Sequence, residues 1–319
     1  MKYFLYVSGF LFFVFSCTSE KKIDERVLAI PVEVEIDRFD LAFARATPEN
    51  LSQLKNEYPF LFPEQYHDSI WYEKMQDTLQ LELEREVGNV FSDFTEFEDE
   101  ITLLFQHLKY YFPDFNEPKV LTLISDVDYR NRVVYTDSIV VVGLDNFLGS
   151  DHHFYIDIHR YIAKTLTPEQ LTPEIAEAIS ERYVKPPTSR SFMDLMVYFG
   201  KKAYLKELLL PLVEDYRILG YTEEEMDWAK ANETEIWRYF VERELLFSTD
   251  PQLAGRFINP APFSKFYLEL DNESPGMLGQ YIGWQIVRAF AKNNEIELRQ
   301  LLTLSGEEIY KNARFKPRR

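Results

Sequence analysis

Strand-forming character in this chain is confined almost entirely to one window. Between residues 119 and 147 the sequence runs through VLTLISDV, NRVVYTD and SIVVVGLDNF, three stretches rich in β-branched residues and separated by Asp, Asn and Arg. One further alternating stretch, Val32-Glu33-Val34-Glu35-Ile36, has the period of a half-buried strand. The rest of the ordered chain carries helix signals, and so small a sheet needs helices to cover it. Composition agrees: 26 Phe and 20 Tyr against 11 Gly favour packed aromatic interiors over the many tight turns of a β-sandwich. The expected fold is α+β, mostly helical, with helices flanking a small β-sheet.

The helix signals fall in order. Thr47-Pro48-Glu49 precedes Leu51, Leu54 and Tyr58, and Pro59 closes that short helix. Residues 73–88 and 96–112 carry apolar side chains at mixed three- and four-residue spacing. Further helices are expected over 174–184, 190–210 and 223–246, then a long one from Ser274-Pro275 to about Asn293 and a shorter one over 298–304. Neither a repeat nor a low-complexity linker interrupts this order, so residues 31–319 read as a single α+β globular domain.

The N-terminus sets the compartment. Lys2 and the apolar run Phe4 to Phe15 form an export signal too short to span a hydrocarbon core of roughly 30 Å. The lone cysteine, Cys17, follows Val14-Phe15-Ser16, which resembles the lipobox of bacterial lipoproteins, although Phe15 is bulkier than the usual occupant. Residues 1–16 therefore read as a lipoprotein signal peptide, Cys17 as the lipid attachment site, and 17–30 as a lipidated N-terminus and flexible tether. The alternative is a free cysteine behind an ordinary cleaved signal. Several acyl chains, palmitate among them, at about 0.8 kcal/mol per buried CH₂ anchor a chain durably. Later apolar stretches are all interrupted by charge, so the body is tethered and does not span. Thr18 rather than Asp follows Cys17, which favours the outer membrane over the inner by the sorting habit of enteric bacteria. The formal charge of −18 excludes a general nucleic-acid binder.

No catalytic signature emerges. Asp151-His152-His153 and Asp157-Ile158-His159 place three imidazoles within nine residues, but no distant cluster completes a four-ligand zinc site. A solvated turn accounts for them, and the sequence leaves open whether His152, His153 and His159 bind a metal. No His is followed by Glu, and neither G-x-S-x-G nor a phosphate-binding loop occurs. Asp126, Asp128 and Asp137 read as turn formers. Gly276, Gly279 and Gly283 form a bare strip that either packs another helix or receives a partner. Arg314, Lys316, Arg318 and Arg319 read as a solvated tail. No catalytic residue, metal site, cofactor or small-molecule substrate is assigned.

The ordered set of segments carries a resemblance. Behind the lipobox Cys17 come Glu35-Ile36-Asp37-Arg38-Phe39-Asp40, Tyr58-Pro59-Phe60-Leu61-Phe62-Pro63 and Leu144-Asp145-Asn146-Phe147-Leu148-Gly149. Phe199-Gly200-Lys201-Lys202-Ala203-Tyr204 and the run from Pro275-Gly276-Met277-Leu278-Gly279 to Gln280-Tyr281-Ile282-Gly283-Trp284 complete it. The chain resembles the gliding-motility lipoprotein family GldB of Bacteroidetes. The resemblance implies a lipid-anchored cell-envelope component, required for gliding and linked to type IX secretion, that works through contacts with the gliding and secretion machinery. The C-terminal region is also similar to a group of proteases expected to depend on zinc through an H-E-x-x-H helix. With Phe199-Gly200 set at their Glu-Gly position, Ser180-Glu181-Arg182-Tyr183-Val184 replaces H-E-x-x-H, which implies a zincin-like scaffold without its metal motif, hence a non-enzyme. The alternative is a membrane-tethered, protease-like hydrolase with an unrecognised site.

Overall fold

The computed structural model describes residues 23–269 and 271–318. The signal segment and Cys17 lie outside the described residues. Strands β1 (Ile36–Arg38), β2 (Lys119–Leu123), β3 (Val133–Tyr135) and β4 (Ile139–Gly143) form one sheet in the order β1-β2-β4-β3. β2 pairs in parallel with β1 and β4, and β3 returns antiparallel along β4 as an edge. Successive side chains point to opposite faces. Val120, Val140 and Val142 therefore enter the larger core, while Leu121 enters a smaller one with Phe39, Phe43, Leu51, Leu54, Tyr58 and Phe62. Burial on both faces is why VLTL and IVVV lack polar alternation.

The strand expected over 32–36 begins only at Ile36. Val32 and Val34 are half-buried with Glu33 and Glu35 exposed, as alternation requires. However, β2 starts at Lys119, so pairing begins where the Val120 amide donates to the Glu35 carbonyl at 2.9 Å.

Helices surround the sheet: Leu51–Glu57, Thr95–Tyr111, Leu171–Tyr183 and Phe192–Leu209 lie close to where they are expected. Two expected helices are each broken in two. Residues 73–88 divide into Asp68–Gln76 and Thr78–Val90 at Asp77, whose carboxylate caps the second helix by accepting from the Gln80 amide at 2.9 Å. Residues 223–246 divide at Asn232 into Glu223–Ala231 and Glu233–Glu242. Among the described residues no helix is long and apolar enough to cross a membrane.

The last long helix is Leu278–Asn293, capped by Met277 in the left-handed region (φ 55°), which leaves Gly276 outside it. The glycine strip is internal packing. A Cβ on Gly283 would overlap the Met196 carbonyl oxygen, and one on Gly200 would overlap the Gly283 carbonyl, so helices 192–209 and 278–293 cross backbone on backbone. A further helix, Gly306–Ala313, was not among those expected.

Both ends of the described chain are packed. Val27, in the short helix Glu25–Leu28, is buried, and the Leu28 and Ile30 carbonyls accept from Gln106 at 3.2 Å. The tail expected to be solvated is not free of the body. The Arg318 amide donates to the buried Glu233 carboxylate at 2.9 Å, and the Phe315 ring meets Trp237 at 5.2 Å. Only the cationic side chains of Arg314, Lys316 and Arg318 face solvent.

Candidate functional site

The segments that carry the resemblance fall into two groups, and the first is structural. The Tyr58 hydroxyl donates to Asp37 at 2.5 Å, and the Phe39 ring meets Tyr58 and Phe62 edge-on at 4.9 and 5.9 Å. Burial and the Asp37 carboxylate push the Tyr58 phenol well above its usual range. Arg38 holds buried Asp40 at 2.7 Å, and Asp40 also accepts from the Thr122 hydroxyl at 2.5 Å. Two segments twenty residues apart thus close the smaller core onto β1 and β2.

Asp145 performs a similar task behind β4. It is sealed from solvent and accepts from the Ser125 amide at 2.9 Å and the Val127 amide at 2.5 Å. Those bonds hold Asp126 and Val127 with φ of 56° and 58°, a left-handed pair that Val seldom adopts. Desolvation raises the Asp145 carboxyl, opposed by these donors. The Tyr155 hydroxyl donates to the Asp145 carbonyl at 2.6 Å and accepts from the Leu148 amide at 3.0 Å. Asp126 pairs with Lys74 at 3.0 Å, Asp128 accepts from Asn131, and Asp137 pairs with Arg182, so these acids have the turn and surface roles expected of them.

The second group builds a cleft. Phe199, Lys202 and Ala203 from one segment and Met277 and Gln280 from the other line a cavity of about 720 Å³. Helices 171–183 and 192–209 form one wall, and the approach to β3 and the helix Asp215–Leu219 contribute to the rest. Its lining includes Arg130, Arg132, Lys202, Lys206 and Arg217, together with Glu174 and Glu177. Glu177 pairs with Lys202 and, at 2.9 Å, with Lys206; Lys202 also reaches Glu181 at 3.2 Å. Arg132 pairs with Glu174 at 2.5 Å and donates to the Thr165 hydroxyl at 2.9 Å.

Electrostatics fix the protonation of this group. Desolvation raises the Glu177 carboxyl, but the Lys206 and Lys202 ammoniums outweigh it and bring it down to about 2. Desolvation lowers Lys202, and Glu177 more than restores it, so its ammonium lies above the usual lysine value. Glu177 is therefore a fixed countercharge and not a proton acceptor near neutral pH. Sequence reasoning missed Arg130, Arg132, Glu174, Glu177, Lys206 and Arg217. One signal was available: Glu177 with Glu181 and Lys202 with Lys206 are both spaced i,i+4, which puts each pair on one helix face.

The histidines do not converge. His152 accepts from the Phe154 amide and lies 3.6 Å from Glu86, with burial, then His153, pushing its imidazole below the ordinary value. His153 is exposed against Glu82 at 3.2 Å, and His159 stacks on Tyr161 at the cleft. Among the described residues no three His, Cys, Asp or Glu side chains gather where they could hold a metal ion. The zincin-like expectation gains no support: Glu181 is exposed and paired with Lys202, and Gly200 serves the helix crossing.

No curated protein and no solved structure matches the chain. The family model described as gliding motility protein GldB matches residues 20–317, which is nearly the whole body. By that match, the chain belongs to the GldB family of gliding motility lipoproteins.

Proposed function

We propose that this protein is acylated at Cys17, sits in the cell envelope facing the periplasm, and serves gliding motility and the type IX secretion linked to it through protein contacts rather than catalysis. The observation that carries this reading is the extent of the family match. It begins three residues beyond Cys17, at residue 20, and runs to 317, so the acylation site leads directly into the GldB body. The chemistry of the cleft supports a non-catalytic role. Its two carboxylates are engaged by Arg132, Lys202 and Lys206, and Glu177 is held ionised, which is unsuited to general acid–base work. Thr18 after Cys17 favours the outer membrane.

The test is complementation of a gene deletion with the wild-type chain, Glu177→Gln or Glu181→Gln, scoring the secreted-protein profile and, in extracts, cleavage of a broad peptide library. The wild type and Glu181→Gln are expected to restore secretion equally, with no peptide cleavage above the deletion strain. Cleavage that depends on the wild-type chain and disappears in either variant would replace this reading with that of a tethered hydrolase.

A further inference from the structure

The geometry points to the cleft beside helices 171–183 and 192–209 as a binding site for a small, multiply charged anion bearing phosphate or carboxylate groups. Its lining carries five cations and two carboxylates, a local reversal of sign in a chain of formal charge −18. Internal pairing does not use up this surplus. Glu174 is matched by Arg132, and Glu177 by Lys202 and Lys206, with the exposed Glu181 also on Lys202, while Arg130 and Arg217 form no salt bridge among the described residues. Asp128 is the acid nearest to Arg130 in the chain; it feels that charge but is held chiefly by Asn131.

The arrangement suits an anion of limited size. A cavity of about 720 Å³ lies within the roughly 300–1,000 Å³ of small-molecule sites. An excess of one sign on the walls of a cleft concentrates the field inside it, so an anion repelled by the acidic body at large is drawn toward this cleft. Guanidinium groups recognise carboxylate and phosphate oxygens through paired N–H donors. Arg217 is held in position by donating to the Glu169 carbonyl, and its Nε is buried without an acceptor. Arg130 is exposed, with its guanidinium over the Tyr129 ring at 5.7 Å. Lys202 and Lys206 supply field from behind, both paired with Glu177. Tyr129 and Tyr161 add ring surface for a sugar or another non-ionic part of the ligand. A free metabolite and a phospholipid headgroup present the same chemistry.

The experiment is calorimetric titration of the purified full-length lipoprotein in non-ionic detergent with pyrophosphate, citrate and dihexanoyl phosphatidylglycerol, repeated on Arg130→Glu and Arg217→Gln. Melting curves run alongside ensure that both variants are folded. Saturable binding of pyrophosphate or citrate that weakens by about tenfold or more in Arg130→Glu supports a free anionic ligand. Binding of the phospholipid alone, with the same loss, supports a headgroup. If none of the three binds, or if binding is unchanged in both variants, the site is not an anion site.

Discussion

At the residue scale, the Glu177 cluster links charge to stability. Its carboxyl is depressed in the folded chain from the ordinary 4.5 to about 2. The stabilisation it provides is therefore complete above the ordinary value and is lost as pH falls through the window between the two. Glu177→Gln removes the carboxylate shared by Lys202 and Lys206 and leaves Lys202 with only the exposed Glu181. It is expected to destabilise by about 2 kcal/mol at neutral pH, less than for a sealed pair because Glu177 is 31% exposed. Urea melts from pH 7 to 2.5 should show the difference between wild type and variant shrinking across the acid window. A constant difference would contradict the assignment. Two glycines give a second contrast. Gly283→Ala drives a methyl into the Met196 carbonyl and should cost about 3 kcal/mol. Gly88→Ala, in helix 78–90 with open space around it, should gain about 0.5–1 kcal/mol. The glycine spacing announced a close approach but not its partner, because Gly200 lies on a helix about eighty residues earlier.

At the element scale, Pro and β-branched signals were reliable and breaks made by short polar side chains were not. Pro59 and the β-branched runs ended or defined elements where expected. Asp77 and Asn232 divide helices with neither Pro nor Gly: the Asp77 carboxylate caps the helix that follows it, and the Asn232 side chain donates back to the Trp228 carbonyl at the end of the helix before it. The helix 306–313 was legible and overlooked: Ser305 and Glu308 form a capping box, with the Glu308 amide donating to the Ser305 hydroxyl and the Ser305 amide to the Glu308 carboxylate. The tail beyond it was not legible, since its role rests on Glu233, a buried acid that accepts from the Tyr281 hydroxyl at 2.7 Å and the Arg318 amide at 2.9 Å. Removing residues 315–319 strips one of those donors and uncovers Trp237. A loss of about 2 kcal/mol is expected, read as a lower urea midpoint with little change in slope. A truncated chain as stable as the full one would show that the tail adds nothing.

At the scale of the whole molecule, the sequence specified a small sheet within helices, but not that two hydrophobic cores share the sheet. That arrangement follows from register: Val120 and Leu121 are neighbours in the chain and enter opposite cores. The cleft was illegible for a related reason. Its cations come from the approach to β3, from helix 192–209 and from helix 215–219, and only the fold brings them to one cavity. The family assignment, by contrast, rests on an order of segments that the sequence displays directly, and the structure divides those segments between a scaffold and a charged cleft. The most direct measurement of the central claim joins anchoring to movement. A deletion strain expressing either the wild-type chain or Cys17→Ala is labelled with an alkyne analogue of palmitate, and single-cell movement on glass is recorded from the same cultures. The account predicts label on the wild-type chain only and movement restored only by it. Movement restored equally by an unlabelled Cys17→Ala chain would contradict it.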